Sequence, residues 1–271
     1  MSRPAESDGQ PGYWEEPDYF LRRLEIVRFQ ENGWQEPCES RGSRTDLWGR
    51  GGEIPLRYPT AEVAHQYLQS VYISASHSDL KGDIDLLERL KELAPGRRGL
   101  DAGHGAGARD VYCLWQDRYD MWGVDAIAEN VDVARELHPD IADRIQVHDL
   151  REPLPYPDGH FHFVLCNAVI QHIAPEDVYG TVLPELVRVL QPDGVLQLMF
   201  KNGEGFTTVY DNDYRTDRTF QLYKPDTILG ILNEQGAELI ESKGDQLGGI
   251  MYFTDPKPTD HCVFWVRKQE D

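Results

Sequence analysis

Three glycines at alternate positions, Gly103, Gly105 and Gly107, stand in the stretch GLDAGHGAGARD (99–110), between a short apolar run and a helix-like segment. Glycine at this density gives up much conformational entropy on folding, so the backbone here must do something that side chains would obstruct. Four readings are open from these residues alone: a tight turn, a phosphate cradle, a dinucleotide turn, and a cradle for another nucleotide-like ligand. What lies downstream decides among them.

From Gly96 onward, short strand-like segments alternate with amphipathic helices, the pattern of a parallel α/β sheet. Strands are predicted at RGLDA, MWGVD, RIQVHD, FHFVLCNA and VLQLMF, and later at AELIES and CVFWVRK. Helices are predicted after the glycines (Ala108, Val111, Tyr112 and Trp115 on one face), over 128–137, over 175–190, and over 225–235 with Gly236 ending the last. The turn QPDG leads into the fifth strand, and 202–221 and 244–260 read as loops. A helix over 83–93, with Ile84, Leu87 and Leu90 inward, precedes the glycine motif.

Each of the first four strands delivers a distinctive group at its C-terminal end, the edge where open α/β sheets bind ligands. The glycine loop follows the first strand, letting a ligand approach the backbone and the N–H groups of the helix behind it. Asp125, 20 residues after Gly105, ends the second strand, where a carboxylate can accept from both hydroxyls of a ribose. Asp149 ends the third, placed to accept from an adenine amino group with the Leu150 backbone beside it. Asn167 ends the fourth. Singly these are weak signals; in order and in register with four strands they reinforce one another.

At this point the chain resembles the class I S-adenosylmethionine-dependent methyltransferases. DAGHGAG is similar to that family's acidic-x-Gly-x-Gly-x-Gly motif, and GVD at 123–125 resembles its acidic ribose position. HDLREPLPYPDGHFHFVLCNAVIQHI and ELVRVLQPDGVLQLMF resemble the motifs that follow. The resemblance covers about 100 residues, Gly99 to Lys201, and implies a doubly wound, seven-stranded, mostly parallel sheet (the Rossmann-like methyltransferase fold). It implies S-adenosylmethionine as cofactor. Gly103, Gly105 and Gly107 would bend around its methionine and ribose, with Asp101 reaching the ammonium. Asp125 would hold the ribose, with Ala126 beside the adenine; Asp149 and Leu150 would contact the adenine edge. Asn167 and Ala168 would lie near the methyl group. His104 departs from the small or cysteine residue common in its slot.

A methyl acceptor that needs activation calls for a general base. His172, in the IQHI turn after the fourth strand, is best placed, with Gln171 to position the acceptor; the competing reading is a capping or packing histidine. His261, in PTDHC at the start of the last strand, and His77 are further candidates. Tyr67, Tyr72, Tyr210, Tyr214 and Tyr223 could favour a sulfonium by cation–π contact, although most aromatics are simply core. No histidine or cysteine spacing suits a metal, and none is expected.

The formal net charge of −20 disfavours nucleic acid and anionic membranes as partners and suits a small-molecule acceptor, although a basic protein substrate is also compatible. Four scattered cysteines without a C-x-x-C pair fit a reducing, cytoplasmic setting. The polar N-terminus is not a signal peptide. Residues 1–12 have the composition of a disordered tail and 13–80 of a helical extension, a possible lid together with the loops 202–221 and 244–260; the catalytic domain is expected over 81–271. Two alternatives stay open: a nicotinamide-dependent oxidoreductase reading GHGAGA as G-x-G-x-x-A, and a catalytically silent methyltransferase-like regulatory subunit.

Overall fold

The computed structural model describes residues 86–211, 216–243, 246, 248–254 and 260–270, all within one compact unit, Thr45–Asp271. The expected tail, the helical extension and Tyr67, Tyr72, His77 and Tyr214 lie outside the described residues. Helix α1, Leu86–Leu93, leads into strand β1, Arg98–Ala102. Then come α2 (Arg109–Gln116), β2 (Asp120–Asp125), α3 (Ala128–Leu137), β3 (Ile145–Val147) and β4 (Phe161–Asn167). A helical segment α4 spans 175–188 and leads into β5, Leu190–Lys201. The remainder is β6 (Phe206–Asp211), β7 (Thr216–Gln221), α5 (Pro225–Glu234), β8 (Ala237–Leu239), β9 (Met251–Thr254) and β10 (Asp260–Lys268).

The sheet runs β3-β2-β1-β4-β5-β10-β8, with β9 also on β10. Strands β1 to β5 are parallel, and β10 enters antiparallel between β5 and β8. Residues 266–268 of β10 pair with β8 and 260–263 pair with β9, on the same edge and in the same antiparallel sense. The Gly249 amide donates to the Ile240 carbonyl at 2.8 Å and pinches off the excursion between them. So β8 and β9 together form one edge strand with an interruption, which reconciles eight strands with the seven expected.

Two buried clusters cover the two faces of the sheet. One centres on Val164, Leu196, Phe200 and Phe264 with α4 and α5; the other on Leu114, Phe163, Leu165 and Trp265 with α1 to α3. The buried stripe of α2 is Val111 and Leu114 behind Ala108, while Tyr112 and Trp115, expected inside, sit half-buried at its margin. In α1 the inward pair is Leu86 and Leu90, with Leu87 only partly covered.

Three departures from the sequence reading stand out. Segment α4 opens into a π-turn over Val178–Val182, because Pro184 has no N–H to give the Gly180 carbonyl. The QPDG turn does not precede β5 but is absorbed into it as an irregularity, with Asp193 at φ 63°. The stretch 202–221, expected as a loop, contains an antiparallel hairpin, β6–β7, in full register from Phe206↔Gln221 to Asp211↔Thr216.

Deep in the second cluster the fully buried Trp265 donates Nε1–H to Gln197 Oε1 at 2.9 Å. Gln197 Nε2 donates in turn to Asn167 Oδ1 at 3.2 Å, so a core residue fixes an amide at the ligand edge. Trp265→Phe leaves the Gln197 carbonyl without its donor in a dry interior. We expect a loss of about 2–3 kcal/mol in urea unfolding with an unchanged slope.

Candidate functional site

Strand β1 ends at Ala102, and the chain turns back over the end of β2: Gly103 N and His104 N both donate to the Val124 carbonyl, at 2.8 and 3.2 Å. Gly103 adopts φ +104° with a neighbour so close that an added Cβ would lie 2.3 Å from Val169 Cγ2. Gly105 differs. Its φ is +62°, yet an added Cβ would meet nothing within 4 Å. Its α-carbon therefore faces open space, the room a ligand laid along this backbone would need.

Asp125 ties this loop down. Its Oδ2 accepts from Gly105 N at 2.9 Å, while Oδ1 accepts from Ile127 N at 2.9 Å and Asn130 Nδ2 at 3.0 Å. One buried carboxylate thus joins the glycine loop to the end of β2 and the start of α3. Asp101, on β1, is buried beside Asp110 and Asp125; burial first, then those two charges, pushes its carboxyl well above the usual range. A cationic group beside it would favour its ionised form.

Two histidines grip the loop from behind. His104 Nδ1 lies 2.6 Å from the Gly105 carbonyl, and His138 Nε2 lies 3.0 Å from the Gly107 carbonyl. A carbonyl only accepts, so each of these nitrogens carries a proton. The opposite nitrogens, His104 Nε2 and His138 Nδ1, are buried without a hydrogen-bond partner among the described residues. Burial lowers both pKa values, that of His138 to about 4. His138 also stacks on Tyr112, ring centres 4.0 Å apart. The residue that seemed out of place in the motif, His104, is a strut under it.

Beyond β3, Asp149 is engaged by Arg151, with Nη2 at 2.6 Å from Oδ2 and Nε at 3.1 Å from Oδ1. Partial burial opposes its ionisation, but those bonds and the guanidinium charge outweigh it and hold the carboxyl below the usual range. Leu150 is buried and Ala126 half-buried. At the end of β4, Asn167 Oδ1 accepts from Gln197 Nε2, which fixes the orientation of its amide. Ala168 holds φ +58°, strained for alanine, and its N–H donates to the Met199 carbonyl at 2.8 Å.

His172 ends the 3-10 turn Ile170–His172 and lies against Phe220 of the hairpin, ring centres 5.3 Å apart. Burial, then the charges of Arg218 and Lys201, lowers its pKa to about 3. Because β10 is antiparallel, its first residues reach the same edge as the end of β5, and His261 pairs with Lys201 across the ladder. Lys201 Nζ lies 3.3 Å from His261 Nε2, so that nitrogen is the acceptor. The reading of sequence alone passed over Lys201, Arg218, Asn130, Arg151 and His138. Lys201 was visible as the end of a predicted strand; Arg218 depends on a hairpin register that its sequence does not announce.

The neutral state of His138 has a consequence in acid. The unfolded chain takes its proton near the ordinary 6.5, the native one only near about 4. The contribution is complete above 6.5, falls as pH drops through that value, and is fully lost by about 4, a span of about 3 kcal/mol. Stability measured against pH should show this loss; His138→Gln, which keeps an amide donor for Gly107, should reduce the slope by about one proton.

Residues 100–198 match the family described as methyltransferase domain. A 2-methyl-6-phytyl-1,4-hydroquinone methyltransferase of Synechocystis is 31% identical over 108 residues, 40% of this chain; the chain spans only 33% of that relative's length. A Methanosarcina mazei S-adenosylmethionine-dependent methyltransferase shares the fold with a TM-score of 0.56 at 16% identity, covering 69% of this chain and 100% of that one. The PH0226 protein of Pyrococcus horikoshii superposes at 0.50 with 18% identity, over 75% and 99%. Residues 100–198 therefore match a methyltransferase domain, and the strand order is that of the Rossmann-like fold these solved structures share.

Proposed function

We propose that this protein transfers a methyl group from S-adenosylmethionine to a small-molecule acceptor by in-line displacement. The observation that carries the reading is Gly105: a left-handed glycine whose missing side chain leaves open space, held in place by Asp125. The cofactor supplies a methyl group on a positively charged sulfur. The protein's own residues do the rest. Gly103, Gly105 and Gly107 present backbone to the cofactor, and Asp101 receives its ammonium. Asp125 and Ala126 flank the ribose and adenine, Asp149 and Leu150 the adenine edge, and Asn167 and Ala168 the region of the methyl group. Binding in a fixed orientation contributes most of the rate expected of such a reaction.

A nicotinamide-dependent oxidoreductase would use the same first turn and the same acidic residue. Its usual sheet continues in order 3-2-1-4-5-6 with parallel strands. Here an antiparallel strand, β10, is inserted after β5, which favours the methyltransferase reading. The Synechocystis relative acts on a hydroquinone, as its name states, and this supports a small organic acceptor. No helix among the described residues is long and apolar enough to cross a membrane.

Calorimetry should find saturable binding of S-adenosylhomocysteine and none of NAD. Gly105→Ala fills the open space at a stability cost of about 1–2 kcal/mol and should weaken that binding more than about tenfold. Incubation with labelled S-adenosylmethionine and a metabolite mixture should yield new methylated masses. Binding of NAD in preference, or nucleoside binding that never leads to turnover with any acceptor, would favour the oxidoreductase or the silent subunit instead.

A further inference from the structure

Asp101 lies on an inner strand of the sheet, one residue before β1 ends. Its neighbours in register are Gly123 on β2, which has no side chain, and the fully buried Leu165 on β4. Register partners in a parallel pair point to the same face, so the space beside Asp101 on the β2 side is the space above Gly123. A Cβ added at Gly123 would lie 3.0 Å from His104 Cδ2, Val111 Cγ2 and Ile145 Cγ2, so carbon fills that space. Asp101 itself is 5% exposed. Among the described residues its carboxyl makes no hydrogen bond and no ion pair.

Buried acids are ordinarily paired with a cation or bonded by N–H groups, and Asp125, which meets three donors, is the contrast. The charged and titratable groups on the elements around Asp101 are His104 of the glycine loop, Arg109 and Asp110 of α2, Asp125 of β2 and Cys166 of β4. Burial favours the neutral forms of His104 and Cys166. Arg109 does not pair with Asp101. Asp110 and Asp125 act on it with charge of its own sign. Burial and two like charges therefore both oppose ionisation, and the fold brings no donor to offset them. Four residues on, the open side of Gly105 gives a ligand room at the same loop.

We propose that Asp101 keeps its proton while the cradle is empty and releases it to solvent when the cofactor's ammonium arrives, so that it selects for a ligand carrying that ammonium. This rests on the methyltransferase reading. The step balances simply. The carboxyl O–H bond breaks, its proton leaves to water or buffer, and the carboxylate left behind faces the incoming cation. No covalent bond to the cofactor forms. The loaded protein then holds one proton fewer on this group than the empty one. Cofactor affinity accordingly rises with pH wherever Asp101 is protonated in the empty site and ionised in the loaded one, and levels off above that window.

Calorimetric titration of the full chain with S-adenosylhomocysteine, in phosphate and in imidazole buffer, counts the protons exchanged on binding. At about pH 6 the ligand's own amine is already protonated and does not contribute. Release of about half to one proton is expected, with affinity rising about three- to tenfold per pH unit on the acid side. 5′-Methylthioadenosine, which has the nucleoside but no ammonium, should bind without release. Asp101→Asn should abolish the release and flatten the pH dependence, a cooperative urea transition of unchanged slope showing that it folds. No release by the wild-type protein on binding S-adenosylhomocysteine, equal release with 5′-methylthioadenosine, or release that persists after Asp101→Asn overturns the inference. Wild-type protein that fails to bind S-adenosylhomocysteine overturns the methyltransferase reading beneath it.

Discussion

The carboxylate of Asp125 is the joint on which the site depends. Its two oxygens take three N–H donors from three parts of the chain: the glycine loop, the first turn of α3, and the Asn130 side chain. A charged acceptor bonded in this way is roughly twice as strong as a neutral one, and little solvent reaches it. Together with the Val124 carbonyl and the two histidines, it holds a loop of three glycines in one conformation. The residue whose position in sequence suggests a ligand contact is therefore the one that shapes the cradle, and with Oδ1 already accepting two bonds only Oδ2 keeps a further lone pair.

The histidines behind the loop solve a related problem. The glycine-loop carbonyls need donors, and His104 and His138 provide them from inside the protein. Each offers a single proton in a fixed tautomer, and the dry surroundings of the opposite nitrogen keep a second proton away. Lysine or arginine in these slots would place a full charge in the same apolar setting, at a cost of several kcal/mol. Neutral imidazole is a donor of the right length without that cost.

The sequence made some of this architecture plain and hid the rest for physical reasons. Strand β1 and helix α3 fall at the predicted bounds, because an apolar run ending in glycines and a clear apolar period leave one local solution. Asp125 was legible because its spacing from Gly105 is set by one helix and one strand. The hairpin β6–β7 was not. Its residues are mostly polar, and the large apolar side chains of β6, Phe206 and Tyr210, fall on its exposed side, so hydrophobicity does not mark the covered face in the sequence. The interruption between β8 and β9 was equally hidden, since the strand pairs with β10 on both sides of an excursion whose residues carry no strand signal. The role of His138 depends on a long-range contact with Gly107, 31 residues away, which no local pattern records.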